Sequence, residues 1–258
     1  MSKEYKLNLY QNSIDSLNEG LNLYKFSLID ESKYKFCIII ITHFMELMLK
    51  HLVELQNPLL CYEKPFSKSL EKEKTITWGE ATQIIINSKY SIAQELLISF
   101  KELTNIRNTI VHYKFNYNTS NIRKNIICVI NGLRALYKNI AKKDLFDDVL
   151  ESSKEILKTI ESEYSQHVHL AQAEVKEESD ETGMEVCDCN YCGDDKTAIE
   201  RENGEIYCYN CGEYDYEIEC CRCYEPIKYS EAYSLGKTES GDPLYLCEYC
   251  NGILESDD

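Results

Sequence analysis

Four cysteine pairs in this chain share one spacing. Cys189/Cys192, Cys208/Cys211, Cys220/Cys223 and Cys247/Cys250 each enclose two residues. Two intervening residues let one tight turn aim both sulfurs at a single cation, and two such turns complete a tetrahedron. Gly193 and Gly212 directly follow the first two pairs. Glycine suits a chain that must turn under a metal with positive φ. Fifteen residues separate Cys192 from Cys208 and 23 separate Cys223 from Cys247, and each gap can hold a small β-hairpin.

Sequential pairing is the simplest arrangement. Cys189, Cys192, Cys208 and Cys211 would hold one ion, and Cys220, Cys223, Cys247 and Cys250 another. A crossed arrangement, joining pair one to pair three, is disfavoured because the repeated glycine marks the first two pairs as one ribbon. Cys187 and Cys221 are left over, and Cys221 could replace Cys220 in an irregular knuckle. Both sets offer four thiolates and no open position, so the expected cofactors are two structural zinc ions, with no catalytic metal. So small a segment builds little core, and metal binding supplies most of its folding energy. A chelator is therefore expected to unfold it and leave the helices intact. A disulfide framework is disfavoured because no secretion signal precedes it, and a redox C-x-x-C does not need three more pairs.

A second constellation lies at Arg107-Asn108-Thr109-Ile110-Val111-His112. Histidine titrates near neutral pH and can take or give a proton. Arginine presents a rigid fork of donors to phosphate oxygens and stabilises the charge gained by an attacked phosphodiester. RNA brings its own nucleophile, the 2′-hydroxyl. Five residues turn an ideal helix by about 140°, so Arg107 and His112 do not share a helix face. They converge only if His112 sits at or past a helix end, which the polar run from Lys114 favours. On spacing alone, a surface arginine and a satisfied histidine is the favoured reading.

The elements that must position these groups follow from periodicity. Leu9, Ile14, Leu17, Leu21, Tyr24 and Leu28 recur at helical spacing and predict a helix over 8–29. A second helix is expected over 32–56, ending before Asn57-Pro58, with an irregular segment over 57–76. Capping-box patterns at Thr77/Glu80 and Ser91/Gln94 predict a short helix and then a long one ending near His112. A polar turn over 114–120 precedes a helix over 121–141, and a last helix covers 144–168. The expected fold is mainly α: an antiparallel helical bundle over residues 1–170, an acidic solvated linker over 171–186, and a small β-rich zinc-ribbon domain over 187–258. Trp78 is expected in the core, Cys37, Cys61 and Cys128 as buried or half-buried thiols, and His167 and His169 at the start of the linker.

The motif Arg107 to His112 resembles the R-x(4–6)-H signature of HEPN domains, with the polar residue that commonly follows the arginine. Upstream, His43-Phe44-Met45-Glu46-Leu47-Met48-Leu49-Lys50-His51-Leu52 resembles the E-x-x-L-K helix of that fold. The resemblance covers about residues 5–165, and bacterial HEPN proteins with C-terminal zinc ribbons occur. It implies a homodimer whose two motifs face each other in a cleft. It implies metal-independent endoribonuclease activity on RNA, often in toxin or phage-defence settings, leaving a cyclic phosphate. His112 would then be the general acid or base, Arg107 would stabilise the transition state, and Asn108 would orient the phosphate or His112. Glu46 and Lys50 would line the cleft. The subgroup paired with nucleotidyltransferase antitoxins carries a tyrosine two residues after the histidine. Here Lys114 stands there and Tyr113 comes one residue early, which puts regulation through that tyrosine in doubt.

Charge divides the chain unevenly. The net charge is −16. Residues 1–170 hold 22 Lys plus Arg against 20 Asp plus Glu (+2), and 171–258 hold 6 against 24 (−18). A phosphate-binding surface needs cations, so the zinc domain is not expected to bind nucleic acid. Ten of the 20 tyrosines fall in 187–250, and exposed tyrosines amid acids suit a protein-binding face, for an antitoxin or another partner that regulates the helical part, or a mimic of nucleic acid. A non-catalytic helical dimer presenting a zinc-ribbon interaction surface is the competing reading. The N-terminus (Met-Ser-Lys-Glu-Tyr-Lys) lacks the apolar run of a signal peptide. Phe36 to Ile41 runs straight into His43, Glu46, Lys50 and His51, so a cytoplasmic protein without a membrane span is expected.

Overall fold

The computed structural model of the chain describes residues 8–112, 119–238 and 242–256. It divides into two compact units, Met1–Glu163 and Tyr164–Asp258. The first is helical, and small antiparallel sheets are confined to the second.

In the first unit, α1 spans Leu9–Ser27. The Asn8 side chain accepts from the Gln11 amide at 2.8 Å, and the Gln11 side chain accepts from the Asn8 amide in return. Ile14, Leu17, Leu21 and Tyr24 form the buried stripe of α1. Helix α2, Ser32–Glu54, is the centre of the unit and packs on α1 and on the next three helices. Its buried residues, from Tyr34 through Ile38, Ile41, Phe44, Met45, Met48 and Leu52, face more than one neighbour, which is why its sequence is apolar nearly all round. By length and composition α2 could also cross a membrane, contrary to the reading that stopped at Ile41. His43, Glu46 and Lys50 are too few to break an otherwise apolar window, of which 61% is buried.

Helix α3, Trp78–Asn87, starts at the reciprocal Thr77/Glu80 cap that the sequence predicts. Trp78 is half-buried and meets the Phe100 ring edge-on at 6.1 Å. Helix α4 spans Gln94–His112, and its start differs from the expected one. The Leu97 amide donates to the Ala93 carbonyl at 3.2 Å, so Ala93 rather than Ser91 occupies the capping position. Helix α5 spans Thr119–Ala141 and buries Ile122, Ile126, Val129, Ile130, Leu133 and Tyr137 on one face. Most of the polar turn expected over 114–120 lies outside the described residues. Cys37 and Cys61 are buried and Cys128 is half-buried.

The largest departure from the sequence reading concerns residues 144–186. After a 3-10 turn, Leu145–Asp147, helix α6 runs from Glu151 to Thr182 without interruption. Its residues from Tyr164 onward belong to the second unit. The acidic stretch expected as a linker is therefore mostly helix, and His167 and His169 are exposed on it. The negative charges occupy its outer faces, while Ala171 and Val175, one turn apart, are buried. Gly183, at φ 74°, ends the helix by donating to the Ser179 carbonyl at 2.8 Å.

The second unit continues with a four-stranded antiparallel sheet in chain order: β1 (Glu185–Cys187), β2 (Ala198–Glu200), β3 (Ile206–Cys208) and β4 (Tyr214–Asp215). Two hairpins follow, β5 (Glu217–Glu219) with β6 (Pro226–Lys228), and β7 (Tyr233–Lys237) with β8 (Pro243–Leu246). Helix α7, Glu248–Ser256, ends the described chain. The two cysteine gaps hold the β2–β3 and β7–β8 hairpins, as their lengths allow.

Candidate functional site

The structure gathers the eight paired cysteines into two groups in sequential order. Cys189, Cys192, Cys208 and Cys211 form one, and Cys220, Cys223, Cys247 and Cys250 the other, with all sulfurs of a group within 4.8 Å of one another. Cys220, not Cys221, takes the third-pair position, and Cys187 belongs to neither group.

Three of the four pairs share one local geometry. The Cys189, Cys208 and Cys220 carbonyls accept from the amides of Gly193, Gly212 and Tyr224 at 2.7, 2.8 and 2.9 Å. The amides of the same cysteines donate to the carbonyls of Asp194, Glu213 and Glu225. The fourth residue past each leading cysteine is left-handed: φ is 64° at Gly193, 73° at Gly212 and 62° at Tyr224. The third knuckle thus places a tyrosine where the first two place glycine, at some strain. The fourth pair is different. Cys247 and Cys250 lie at the opening of α7, where the Asn251 amide donates to the Cys247 carbonyl at 3.0 Å.

The sulfur geometry fits a metal. Cys189 and Cys211 sulfurs are 3.6 Å apart, Cys192 and Cys208 3.7 Å, and Cys223 and Cys247 3.8 Å. A disulfide would need about 2.05 Å. Sulfurs about 2.3 Å from a central ion, at the corners of a tetrahedron, are about 3.8 Å apart. Backbone amides supply further support for negative charge. Cys192, Cys211 and Cys250 amides point at the sulfurs of Cys189, Cys208 and Cys247 at 3.4 Å each, and the Cys247 amide at the Cys220 sulfur at 3.3 Å.

The protonation balance of the thiols points the same way. Thiol donors from Cys189, Cys192 and Cys211 hold Cys208 well below the ordinary thiol value, and the Cys192 thiol lowers Cys189. Neighbouring sulfurs, Cys189 first, push Cys192 and Cys211 up. In the second group burial raises Cys220, but the amides of Cys223, Cys247 and Arg222 outweigh it and bring the thiol to about 6. Burial and the neighbouring sulfurs push Cys250 up to about 12. A set of four close sulfurs ionises in part by itself and completely only around a cation. Each group can therefore hold one metal ion in a closed, all-sulfur shell.

A polar shell around the first group was not legible in the sequence. Tyr164 on α6 donates its phenol to Asp194, which directly follows Gly193. Burial, and then Asp194, keep that phenol far above its ordinary pKa. Asn210, inside the second knuckle, donates to Asp194 at 2.7 Å. Gln172 donates to the Asp195 carbonyl at 2.8 Å, and Tyr209 donates to Glu178. Asp215 is nearly fully buried. Its carboxylate accepts from Asn190, inside the first knuckle, at 2.7 Å, and from the Ser230 amide and hydroxyl at 3.0 and 2.8 Å.

In the helical unit the Arg107 guanidinium meets Glu46 of α2 at 2.6 Å. Its Nε and Nη2 donate to the Asn108 side-chain oxygen at 3.3 and 3.1 Å. The structure thus joins Arg107, Asn108 and Glu46. His112 is the last described residue of α4 and is exposed, with no hydrogen bond to Arg107 among the described residues. Lys50, one turn after Glu46, donates to the Thr75 hydroxyl at 2.9 Å. Arg123 donates to the Tyr24 hydroxyl at 2.8 Å and pairs with Glu163 at 3.2 Å. Tyr113 and Lys114 lie outside the described residues.

No protein-family model, curated protein or solved structure matches the chain.

Proposed function

We propose that the chain is a metal-independent endoribonuclease of HEPN type, carrying a C-terminal domain built on two structural zinc ions. The observation that carries the reading is the Arg107–Glu46 ion pair. The two segments that resemble HEPN motifs lie 61 residues apart in sequence, and their key charged residues meet there. Glu46 and Asn108 fix the guanidinium, and fixed donors serve a developing phosphorane charge better than mobile ones. His112, exposed on α4, is available as general acid or base. A second copy of the chain would supply the facing motif, and a toxin or phage-defence role follows from the same resemblance. All-thiolate tetrahedral shells suit zinc or iron. Zinc is the reading for a closed structural shell, and it supplies folding energy rather than a step of the cleavage.

A second reading is supported by a specific observation. Arg107 and Arg123 are each balanced by a glutamate, which reduces the cationic surface that RNA binding needs. On that reading the helical unit is a dimeric adaptor, and the acidic domain docks a protein partner. Cleavage of mixed cellular RNA in EDTA, by wild-type and His112→Ala proteins, separates the two. Activity that survives EDTA and is lost in the variant supports the nuclease. Equal traces from both proteins support the adaptor.

A further inference from the structure

The two thiol groups differ in exposure. Cys189, Cys192, Cys208 and Cys211 are all buried. In the second group Cys220 and Cys250 are buried, Cys247 is half-buried and Cys223 is exposed. Their surroundings differ in the same sense. Ala198, Tyr191 and Ile206 pack on the first group, and the Tyr164–Asp194–Asn210 bonds brace its knuckles. In the buried cluster around the second group, the described apolar side chains besides cysteines are Leu246 and Ile227.

We propose that Cys223 is a thiol modification site, at which a hydroperoxide drives closure of a Cys223–Cys247 disulfide and release of the metal from the second centre alone. The inference rests on reading both thiol groups as metal centres. The Cys223 thiolate attacks one peroxide oxygen, the O–O bond breaks, and a sulfenic acid and one water form. The Cys247 thiolate then attacks the Cys223 sulfur and expels the second oxygen as water. Two thiolates, one hydrogen peroxide and two protons thus give one disulfide and two waters. The sulfurs begin 3.8 Å apart and must close to about 2.05 Å. An exposed side chain can make that move without displacing a core. With two ligands consumed and so little apolar packing, the lobe of β7, β8 and α7 loses its order. The first centre shields every sulfur and persists.

The test uses the full chain with its metal content measured first. Hydrogen peroxide is added, zinc release is followed with a chromogenic chelator, and remaining thiols are alkylated and mapped by mass spectrometry. One equivalent should leave at least tenfold faster than the other, with the new disulfide at Cys223–Cys247. Cys223→His keeps a metal donor and removes the thiol, so it should slow the fast phase at least tenfold. Release in a single phase, or a first disulfide among Cys189, Cys192, Cys208 and Cys211, would overturn the inference. If Cys223→His binds a single ion, the wild-type disulfide map decides alone. Fewer than two ions per untreated chain would instead overturn the two-centre reading beneath it.

Discussion

Tyr164 donates its phenol to both carboxylate oxygens of Asp194, at 2.6 and 2.5 Å, and so ties helix α6 to the first cysteine knuckle. Asp194 also accepts from Asn210 of the second knuckle. The C-terminal part of α6 is thereby bound to both turns that would enclose the first metal.

Metal removal should consequently reach further than the cysteine segment. We expect chelation under denaturing-then-refolding conditions to cost helical signal from residues 164–182 as well as the β-rich lobes. Hydrogen exchange is the measurement: amides of 164–182 lose protection with the metal, while α2 keeps its own. Tyr164→Phe should weaken the metal-loaded domain by about 1 kcal/mol, the scale of one hydrogen bond, because Asn210 still donates to Asp194. Unchanged protection over 164–182 in the metal-free chain would restore the simpler expectation that all helices stay intact.

Glu46 acts through Arg107, so its removal should separate stability from activity. The pair is about a quarter exposed on each side, and Glu46→Gln is expected to cost less than about 1 kcal/mol in stability. RNA cleavage should fall by about 10- to 100-fold, because a guanidinium out of position no longer meets the developing charge. Thermal unfolding and cleavage rates on one preparation check both halves. Full activity in Glu46→Gln would remove Glu46 from any positioning role.

Acid sensitivity of the helical unit should pass through Asp144. The Arg134 guanidinium, at 2.7 Å, and then the Phe146 amide hold its carboxyl at about 2. A carboxylate with a depressed pKa stabilises the fold above its unfolded value of 3.8, and that contribution disappears as pH falls toward 2. Because Arg134 is partly exposed, solvent screening reduces the effect to about 1 kcal/mol. Asp144→Asn should therefore be less stable than wild type by that amount at pH 7. The two proteins should converge only at about pH 2 and below in urea unfolding, and a gap that persists there would point to packing instead of charge.

Much of this architecture was legible in the residues. Leu9 through Leu28 and the Thr77/Glu80 cap mark their helices, because periodicity and capping are local. The four C-x-x-C pairs mark their partners, because Gly193 and Gly212 repeat at one position of the knuckle. What was not legible depends on tertiary contact. Glu174 to Glu181 reads as solvated linker on charge alone, and only the burial of Ala171 and Val175 makes it helix. Ala93 caps α4 in place of Ser91, a choice between two similar starts that sequence cannot rank. Asp194, Asn210 and Asp215 look like ordinary loop polars until the fold points them at one another. Asp194's place after Gly193 was the one available signal.

The measurement closest to the central claim is the chemistry of the RNA ends. With EDTA present, wild-type protein should cut an RNA to leave a 2′,3′-cyclic phosphate. It should spare the same RNA carrying a 2′-deoxy residue at the cut position, and His112→Ala should leave the RNA whole. Fragments ending in a 3′-hydroxyl, cleavage at the deoxy position, or undiminished cleavage by His112→Ala would contradict a HEPN-type nuclease built on Arg107 and His112.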